Sequence, residues 1–330
     1  MPKKNKTLRA KLIANPGAGK SSESAAKLLQ VTGYLEEFGL KVDVALAHPK
    51  INAIPIAKRA VKEGYDLVIS MGGDGTLGMV IRGIAGSKVR LGIIPAGTAN
   101  DMARSLGIPE DLKEACALIA AGHTRKLDLG QISTSKRKKF YFMMMAAIGL
   151  TATIFPIIKG VPDGSYSGIA DGVMTFLKFK SKPKVYLTLD NESKIEVETM
   201  LVTIANSPLV GLRNLVAPDA SMDDGLLDIS VYPGFSKAGI ISYFARTANE
   251  TPVPDGAIQR YQAKNIKVKT SPKLDIAAEG ILLGKGTARI KVLPGALRVI
   301  APEPETGAGV EKPPEKVSSK LPKPVSSESK

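Results

Sequence analysis

Cysteine is almost missing from this chain: Cys116 is the one thiol in 330 residues. A single thiol forms no intramolecular disulfide, so a reducing, cytoplasmic setting is expected. Cys116 falls with Leu112, Ala115 and Ile119 on one helical stripe, where a free cysteine packs as a small hydrophobe. Histidine is nearly as scarce. His48 and His123 have no cysteine or histidine companion at ligand spacing, which speaks against a zinc site. Tryptophan is absent and aromatics make up 5% of the chain. With so few stacking surfaces and no nucleic-acid motif, no nucleic-acid partner is expected. Nor is a secretory leader, because Pro2-Lys3-Lys4-Asn5-Lys6 is polar. One apolar run, the 19 uncharged residues 140–158, is formally long enough to span a bilayer. Gly149, Thr151, Thr153 and Pro156 interrupt it, and it divides into a buried strand over 141–148 and a turn.

What the chain has in excess is positive charge. Lys and Arg number 46 against 31 Asp and Glu, a net charge of +15. With nucleic acid set aside, an anionic membrane surface is the expected partner, held peripherally and reversibly. The basic run Lys136-Arg137-Lys138-Lys139 is the candidate contact. A 44% hydrophobic fraction and a mean hydropathy of +0.03 fit a soluble globular protein of about two domains.

The pattern along the chain divides it. Strands are expected at 8–14, 41–47, 67–70 and 89–94, alternating with helices from 21, over 54–63 and over 111–121. Such alternation predicts a parallel α/β domain over 1–125, with ligands at the carboxyl ends of its strands. After Arg125 strands dominate: 126–132, 140–148, 185–189, 195–205, 226–232, 263–269, 289–293 and 297–300, with one helix over 236–250. They predict a β-rich, mostly antiparallel domain over 126–302, whose last strands either stay within it or return to the first domain. Residues 303–330 turn to Pro, Glu, Lys and Ser and are expected to be a disordered tail.

Three glycine-rich turns each follow an expected strand: Asn15-Pro16-Gly17-Ala18-Gly19, Gly72-Gly73-Asp74-Gly75-Thr76 and Pro95-Ala96-Gly97-Thr98-Ala99-Asn100-Asp101. In a parallel sheet such turns gather along one edge, where backbone can approach phosphates closely. Asp74 is an acceptor suited to Mg²⁺ or to a reacting hydroxyl. Asp128 is a lone carboxylate in an apolar strand. Residues 218–225, Pro-Asp-Ala-Ser-Met-Asp-Asp-Gly, form an acidic turn of hard oxygen donors.

In that order these motifs resemble the catalytic family of diacylglycerol kinases, which includes bacterial lipid kinases and sphingosine and ceramide kinases. NPGAGK at 15–20, GGDGT at 72–76, PAGTANDMARSLGIP at 95–109, LDLG at 127–130, APDASMDDGLLD at 217–228 and VLPGALRV at 292–299 carry the resemblance, which spans residues 8–302. It implies an ATP-dependent lipid kinase, with the lipid entering between the two domains. ATP would be held by Asn15, Pro16, Gly17, Ala18, Gly19, Gly72, Gly73, Asp74, Gly75, Thr76 and Thr98. A network of carboxylates, waters and Mg²⁺ would involve Asp74, Asp101, Asp128 and Asp224. A structural Mg²⁺ would sit on the side chains of Ser221 and Asp224 and the carbonyl of Leu226. Phosphoryl transfer of this kind is positioning plus charge neutralisation.

The chain also departs from the family. Counting back from Leu293-Pro294 without gaps, the family's Asp-Gly-Glu, whose glutamate is the base, becomes Glu279-Gly280-Ile281. Gly78 and Met79 replace an Asn-Glu pair, Thr151 replaces an aspartate in Gly149-Leu150-Thr151-Ala152, and Ala47 replaces a threonine that contacts nucleotide. Two readings follow. In one, Glu279 is the substitute base, two residues from Ile281 and on the same face if both lie on a strand. In the other, the chain binds nucleotide or lipid with little transfer, a pseudokinase. A relative of the NAD kinases is a third reading, opposed by the motifs at 95–109 and 217–228. The acceptor lipid is not written in the sequence, and a homodimer is left open.

Overall fold

The computed structural model describes residues 8–15, 21–47, 52–150, 152, 183–210, 214–248 and 258–303. Pro16 to Gly19, Thr151 and the expected tail beyond Glu303 lie outside them. The first half alternates as expected: β1 Ala10–Ala14, α1 Ser21–Glu37, β2 Val42–Leu46, α2 Ala53–Lys62, β3 Leu67–Gly72, α3 Asp74–Ile84, β4 Arg90–Pro95, α4 Asp101–Ser105 and α5 Leu112–Ala121. The four strands pair in parallel in the order β2-β1-β3-β4. All six residues of β3 are buried, which is why it reads as a continuous apolar run rather than an alternating one. Ala57, Val80, Ile81 and Ile84 of α2 and α3 pack on one face of this sheet. Val31 and Leu35 of α1, with Cys116 and Ile119 of α5, pack on the other. The helix ends follow local chemistry: Asn52 and Asp111 cap α2 and α5 through their side chains, and Gly122 ends α5 at φ +76°.

The second half adds β5 Thr124–Thr134, β6 Phe140–Phe142, β7 Met145–Gly149, β8 Lys184–Leu189, β9 Ser193–Glu198, β10 Leu201–Ala205, β11 Leu209–Val210, β12 Asn214–Leu215 and β13 Leu227–Val231. After these come α6 Lys237–Ala248, β14 Gln259–Ala263, β15 Asn265–Ser271, β16 Asp275–Ala278, β17 Ile281–Lys285 and β18 Thr287–Ile300. A six-stranded antiparallel sheet runs β14-β13-β10-β7-β16-β17. It packs against the β18-β15-β8-β9 part of the larger, ten-stranded sheet, with Val202, Ile204 and Ile276 facing Val185, Val268 and Ile290. Among the described residues, no helix is long and apolar enough to cross a membrane. The expected buried strand over 141–148 is instead the short β6 and β7.

Four expected strands are redrawn. The run 140–148 breaks at Met143-Met144, whose amide N–H groups turn to the carboxylate of Glu279. The run 195–205 breaks at buried Thr199, whose hydroxyl bonds the carbonyls of Leu201 and Tyr232. That crossing sends β9 to one sheet and β10 to the other. The runs 289–293 and 297–300 are one bent strand, β18. Its first part pairs with β15, and its end runs parallel to β4 through Arg298 and Val299. The chain thus returns to the parallel sheet.

The bend in β18 lies where its register with β5 shifts, between Leu293 and Leu297. Gly295, at φ +56°, donates its N–H to Asp128 Oδ1 at 2.7 Å. Gly225 of the acidic turn donates to Asp128 Oδ2 at 2.7 Å, and the Asp128 N–H donates to the Met222 carbonyl at 2.7 Å. The Asn206 side chain donates to the Asp128 carbonyl at 3.2 Å. A 2% exposed carboxylate thereby ties β5, the β18 bend and the acidic turn together.

Asp128→Ala leaves two amides without their acceptor and is expected to cost about 3 kcal/mol or more in unfolding free energy. Urea unfolding measures it, and Asp128→Asn, which keeps one acceptor oxygen, is expected to lose less. A second prediction concerns Cys116. Burial, with Asp111 adding to it, pushes its thiol up to about 12, so it stays protonated in the folded protein. Iodoacetamide at about pH 8 is expected to label it only after denaturant is added.

Candidate active site

The carboxyl ends of β3 and β4 carry the glycine turns at 72–76 and 95–101, and Asn15, the described residue of the first motif, follows β1. Backbone hydrogen bonds bind them edge to edge: the Asn15 N–H donates to the Met71 carbonyl and the Ala96 N–H to the Gly72 carbonyl, each at 3.1 Å. The turns also touch through glycine. A Cβ on Gly97 would lie 2.3 Å from the Gly73 Cα, and one on Gly72 would lie 2.9 Å from the Thr76 Cβ. No side chain fits between them, so backbone alone forms this edge. Asn15 Nδ2 donates to Thr76 Oγ1 at 3.1 Å. Gly73 precedes α3 without any side-chain cap, which leaves the first amides of that helix available to an anion. Beside them, Asn15, Ser24, Lys27, Met71 and Ala96 line a shallow hollow.

Asp74 opens α3 and faces the neighbouring turn. Its two oxygens accept the N–H groups of Asp101 and Met102, both at 3.3 Å. Asn100 supports this geometry from a left-handed conformation, φ +53°, by closing its side chain onto the N–H and carbonyl of Gly97. Asp101 is buried and Thr98 is exposed. The structure therefore brings Asn15, Gly72, Gly73, Asp74, Thr76, Gly97 and Asp101 together.

The remaining carboxylates sit elsewhere in the bond network. Asp128 is fastened to the acidic turn and the β18 bend. In that turn the Ser221 hydroxyl donates to Asp223, Asp223 pairs with Arg125 at 3.3 Å, and Asp224 Oδ1 accepts the N–H of Leu226. Among the described residues, no three of His, Cys, Asp and Glu gather as a metal-binding group. The donor chemistry of Ser221, Asp224 and the Leu226 carbonyl still suits a hard cation: a hydroxyl that donates its hydrogen bond to Asp223 keeps its lone pairs. Asp74 suits one too, since each of its oxygens takes one long hydrogen bond and retains acceptor capacity.

Glu279 is not on a strand. It and Gly280, at φ +52° and +70°, form the two-residue turn of the β16–β17 hairpin, the conformation such tight turns demand. Strand alternation therefore does not relate it to Ile281, which pairs with Ala278 and is 38% exposed. The Glu279 carboxylate instead turns back to the break between β6 and β7. Its Oε1 accepts the N–H of Met143 at 2.9 Å and of Met144 at 2.8 Å.

Two further residues escaped the sequence reading. Asn206 is fully buried; its side chain donates to the Met143 carbonyl at 3.0 Å and its N–H to the Met144 carbonyl at 2.8 Å. It thus holds the peptides that hold Glu279. Arg82, on α3, lies 4.9 Å over the Phe140 ring. Burial lowers its pKa from the ordinary value, while the charge of Glu279 raises it and that of Arg137 lowers it. A lone Asn after a strand and an Arg late in a helix carry no motif, so only their placement reveals them.

Comparison with known proteins bears on the family and the fold. The sequence matches the family "Diacylglycerol kinase catalytic domain" over residues 9–132 and "YegS C-terminal NAD kinase beta sandwich-like domain" over residues 165–301. A diacylglycerol kinase of Staphylococcus aureus (strain bovine RF122 / ET3-1) is 30% identical over 302 residues, which is 89% of this chain and 92% of the relative. One from Bacillus subtilis (strain 168) is 29% identical over 278 residues, 82% of this chain and 89% of the relative. A crystal structure of a diacylglycerol kinase from Bacillus anthracis str. Sterne superposes with a TM-score of 0.69 at 23% identity, over 89% of this chain and 97% of that one, which bears on the fold. On the length and level of these matches, the chain belongs to the diacylglycerol kinase family.

Proposed function

We propose that this protein transfers the γ-phosphoryl group of ATP to a lipid hydroxyl, with diacylglycerol the first acceptor to test. The observation that carries the reading is the edge built of backbone alone, where Gly73 and Gly97 meet at the ends of parallel strands beside the uncapped start of α3. Such an edge suits a chain of phosphates better than any side-chain pocket. Asn15, the glycines and Thr76 would line the nucleotide, with residues 16–19 and Thr98 completing the site.

Mg²⁺, where bound, would neutralise phosphate charge. Asp74 would hold it through its remaining acceptor capacity, and Ser221, Asp224 and the Leu226 carbonyl would hold a second, structural ion. Asp101 supports the Asp74 side, and Asp128 acts by fastening the acidic turn. Glu279 is the proposed proton acceptor. Two amides hold its carboxylate, and the positive charge of Arg82 acts on it, which is how a general base is kept in one geometry. The lipid would enter between the parallel sheet and the six-stranded sheet, from a membrane bound peripherally.

Incubation of the purified protein with labelled ATP, Mg²⁺ and a panel of diacylglycerol, ceramide, sphingoid base and undecaprenol tests this reading. Transfer to diacylglycerol is expected, and Glu279→Gln is expected to slow it about 10²–10⁴-fold. Asp74→Ala is expected to abolish it. Absence of transfer to any acceptor, with ATP still raising the melting temperature, would replace the kinase by a non-transferring binding protein. Unchanged transfer in Glu279→Gln would remove Glu279 as the base.

A further inference from the structure

The β16–β17 hairpin has an unusual tip. Its charged turn residue is folded inward, with Glu279 bonded to Met143 and Met144. After Gly280 come Ile281 and Leu282, 38% and 49% exposed. Neighbours on a strand point to opposite faces, so the tip presents apolar side chains on both. β17 is also the last strand of its sheet. Soluble proteins protect such edges with charges, bulges or proline; β17 has a bulge at Leu283, where its register with β16 shifts, but its outermost pair is apolar.

A basic loop stands directly beside it. The Thr134 hydroxyl donates to the Leu283 carbonyl at 2.6 Å and accepts the Arg137 N–H at 3.2 Å, while the Thr134 N–H donates to the Arg137 carbonyl at 2.8 Å. One residue therefore fastens β17 to the loop carrying Lys136, Arg137, Lys138 and Lys139, all exposed. Lys139 reaches the Tyr141 ring at 4.8 Å, an aromatic with a polar tip of the kind favoured at membrane interfaces.

We propose that this hairpin tip and the Lys136–Lys139 loop form one docking surface for an anionic lipid bilayer: Ile281 and Leu282 enter the acyl boundary, and the loop binds the headgroups. This rests on the membrane-bound kinase reading and specifies where the membrane sits. The chemistry favours a bilayer over a second copy of the chain. In a two-fold pair the same patch meets itself, which would bring the basic loops together, whereas anionic headgroups attract four cations at once. An apolar wedge with two exposed faces also suits a fluid acyl layer better than one flat protein partner. The placement has a consequence for the site. Glu279 is two residues from Ile281, so a lipid headgroup at this surface arrives beside the proposed base. Where the family pattern has a glutamate, this chain places an apolar side chain that anchors.

Co-sedimentation of the full chain with vesicles tests the surface, using phosphatidylcholine alone and phosphatidylcholine mixed equally with phosphatidylglycerol. Binding to the mixed vesicles only, weakened by salt, is expected. Lys136→Gln with Lys138→Gln should weaken it about thirtyfold, and Leu282→Asp about tenfold. Lys41→Gln with Lys113→Gln, exposed beside β2 at the far end of the ten-stranded sheet and on α5, should leave it unchanged. Melting temperatures confirm that each variant is folded. Equal binding by the tip and loop variants and wild type, or equal loss in the Lys41 and Lys113 variant, would overturn the proposal. So would a dimer in light scattering that Leu282→Asp dissolves, which assigns the tip to a second copy. Transfer to a water-soluble short-chain diacylglycerol separates this from the kinase reading. Its absence in wild type removes the kinase and leaves the vesicle result standing; its presence, with unaltered vesicle binding in the variants, removes only the surface.

Discussion

Asp128 is where the architecture converges. Its carboxylate receives the amides of Gly225 and Gly295 at 2.7 Å each, its N–H reaches Met222, and its carbonyl receives Asn206. A buried carboxylate is costly unless its oxygens are satisfied. Here satisfying it requires the acidic turn to fold inward and β18 to bulge at Gly295. The bulge in turn lets one strand serve the β-sandwich with its first part and the parallel sheet with its end. The parallel sheet and the β-sandwich are thus joined through the strand that this carboxylate bends.

From that junction a line of hydrogen bonds leads to the proposed base. Asn206 joins the Asp128 carbonyl to the Met143 and Met144 peptides, and those peptides hold the Glu279 carboxylate. On the other side, no side chain comes between the turns of the glycine edge. Its precision comes from the contact of Gly73 with Gly97 and from the clasp of Asn100 on its own turn. One wall is rigid because backbone packs on backbone, and the other because Asn206 and Glu279 hydrogen-bond the peptides between them.

Much of this was legible in the residues. Strand and helix alternated with clear periods through α5, and the glycine turns announced the sheet edge because few other roles need Gly72, Gly73 and Gly97 in such company. The return of β18 was open in the sequence, since Leu297 to Ile300 is equally apolar in either sheet. The breaks at Met143-Met144 and Thr199 were not legible: both lie in runs of good strand formers, and what breaks them is a distant partner, Glu279 in one case and Tyr232 in the other. Glu279 itself was read as a strand residue because only the hairpin register places it in a turn. The carboxylates at 74, 101, 128 and 224 were read as one network. In the bond pattern Asp74 belongs with Asp101, and Asp128 with the acidic turn.

The central claim is that the Asp128–Asn206–Met143/Met144 line exists to hold Glu279 in one geometry for phosphoryl transfer. The most direct measurement is the transfer rate of Asn206→Ala beside its melting temperature and its stabilisation by ATP. The account predicts a folded protein that ATP still stabilises, with transfer slowed about 10²-fold by a carboxylate out of place. A folded Asn206→Ala variant that transfers as fast as wild type would contradict it.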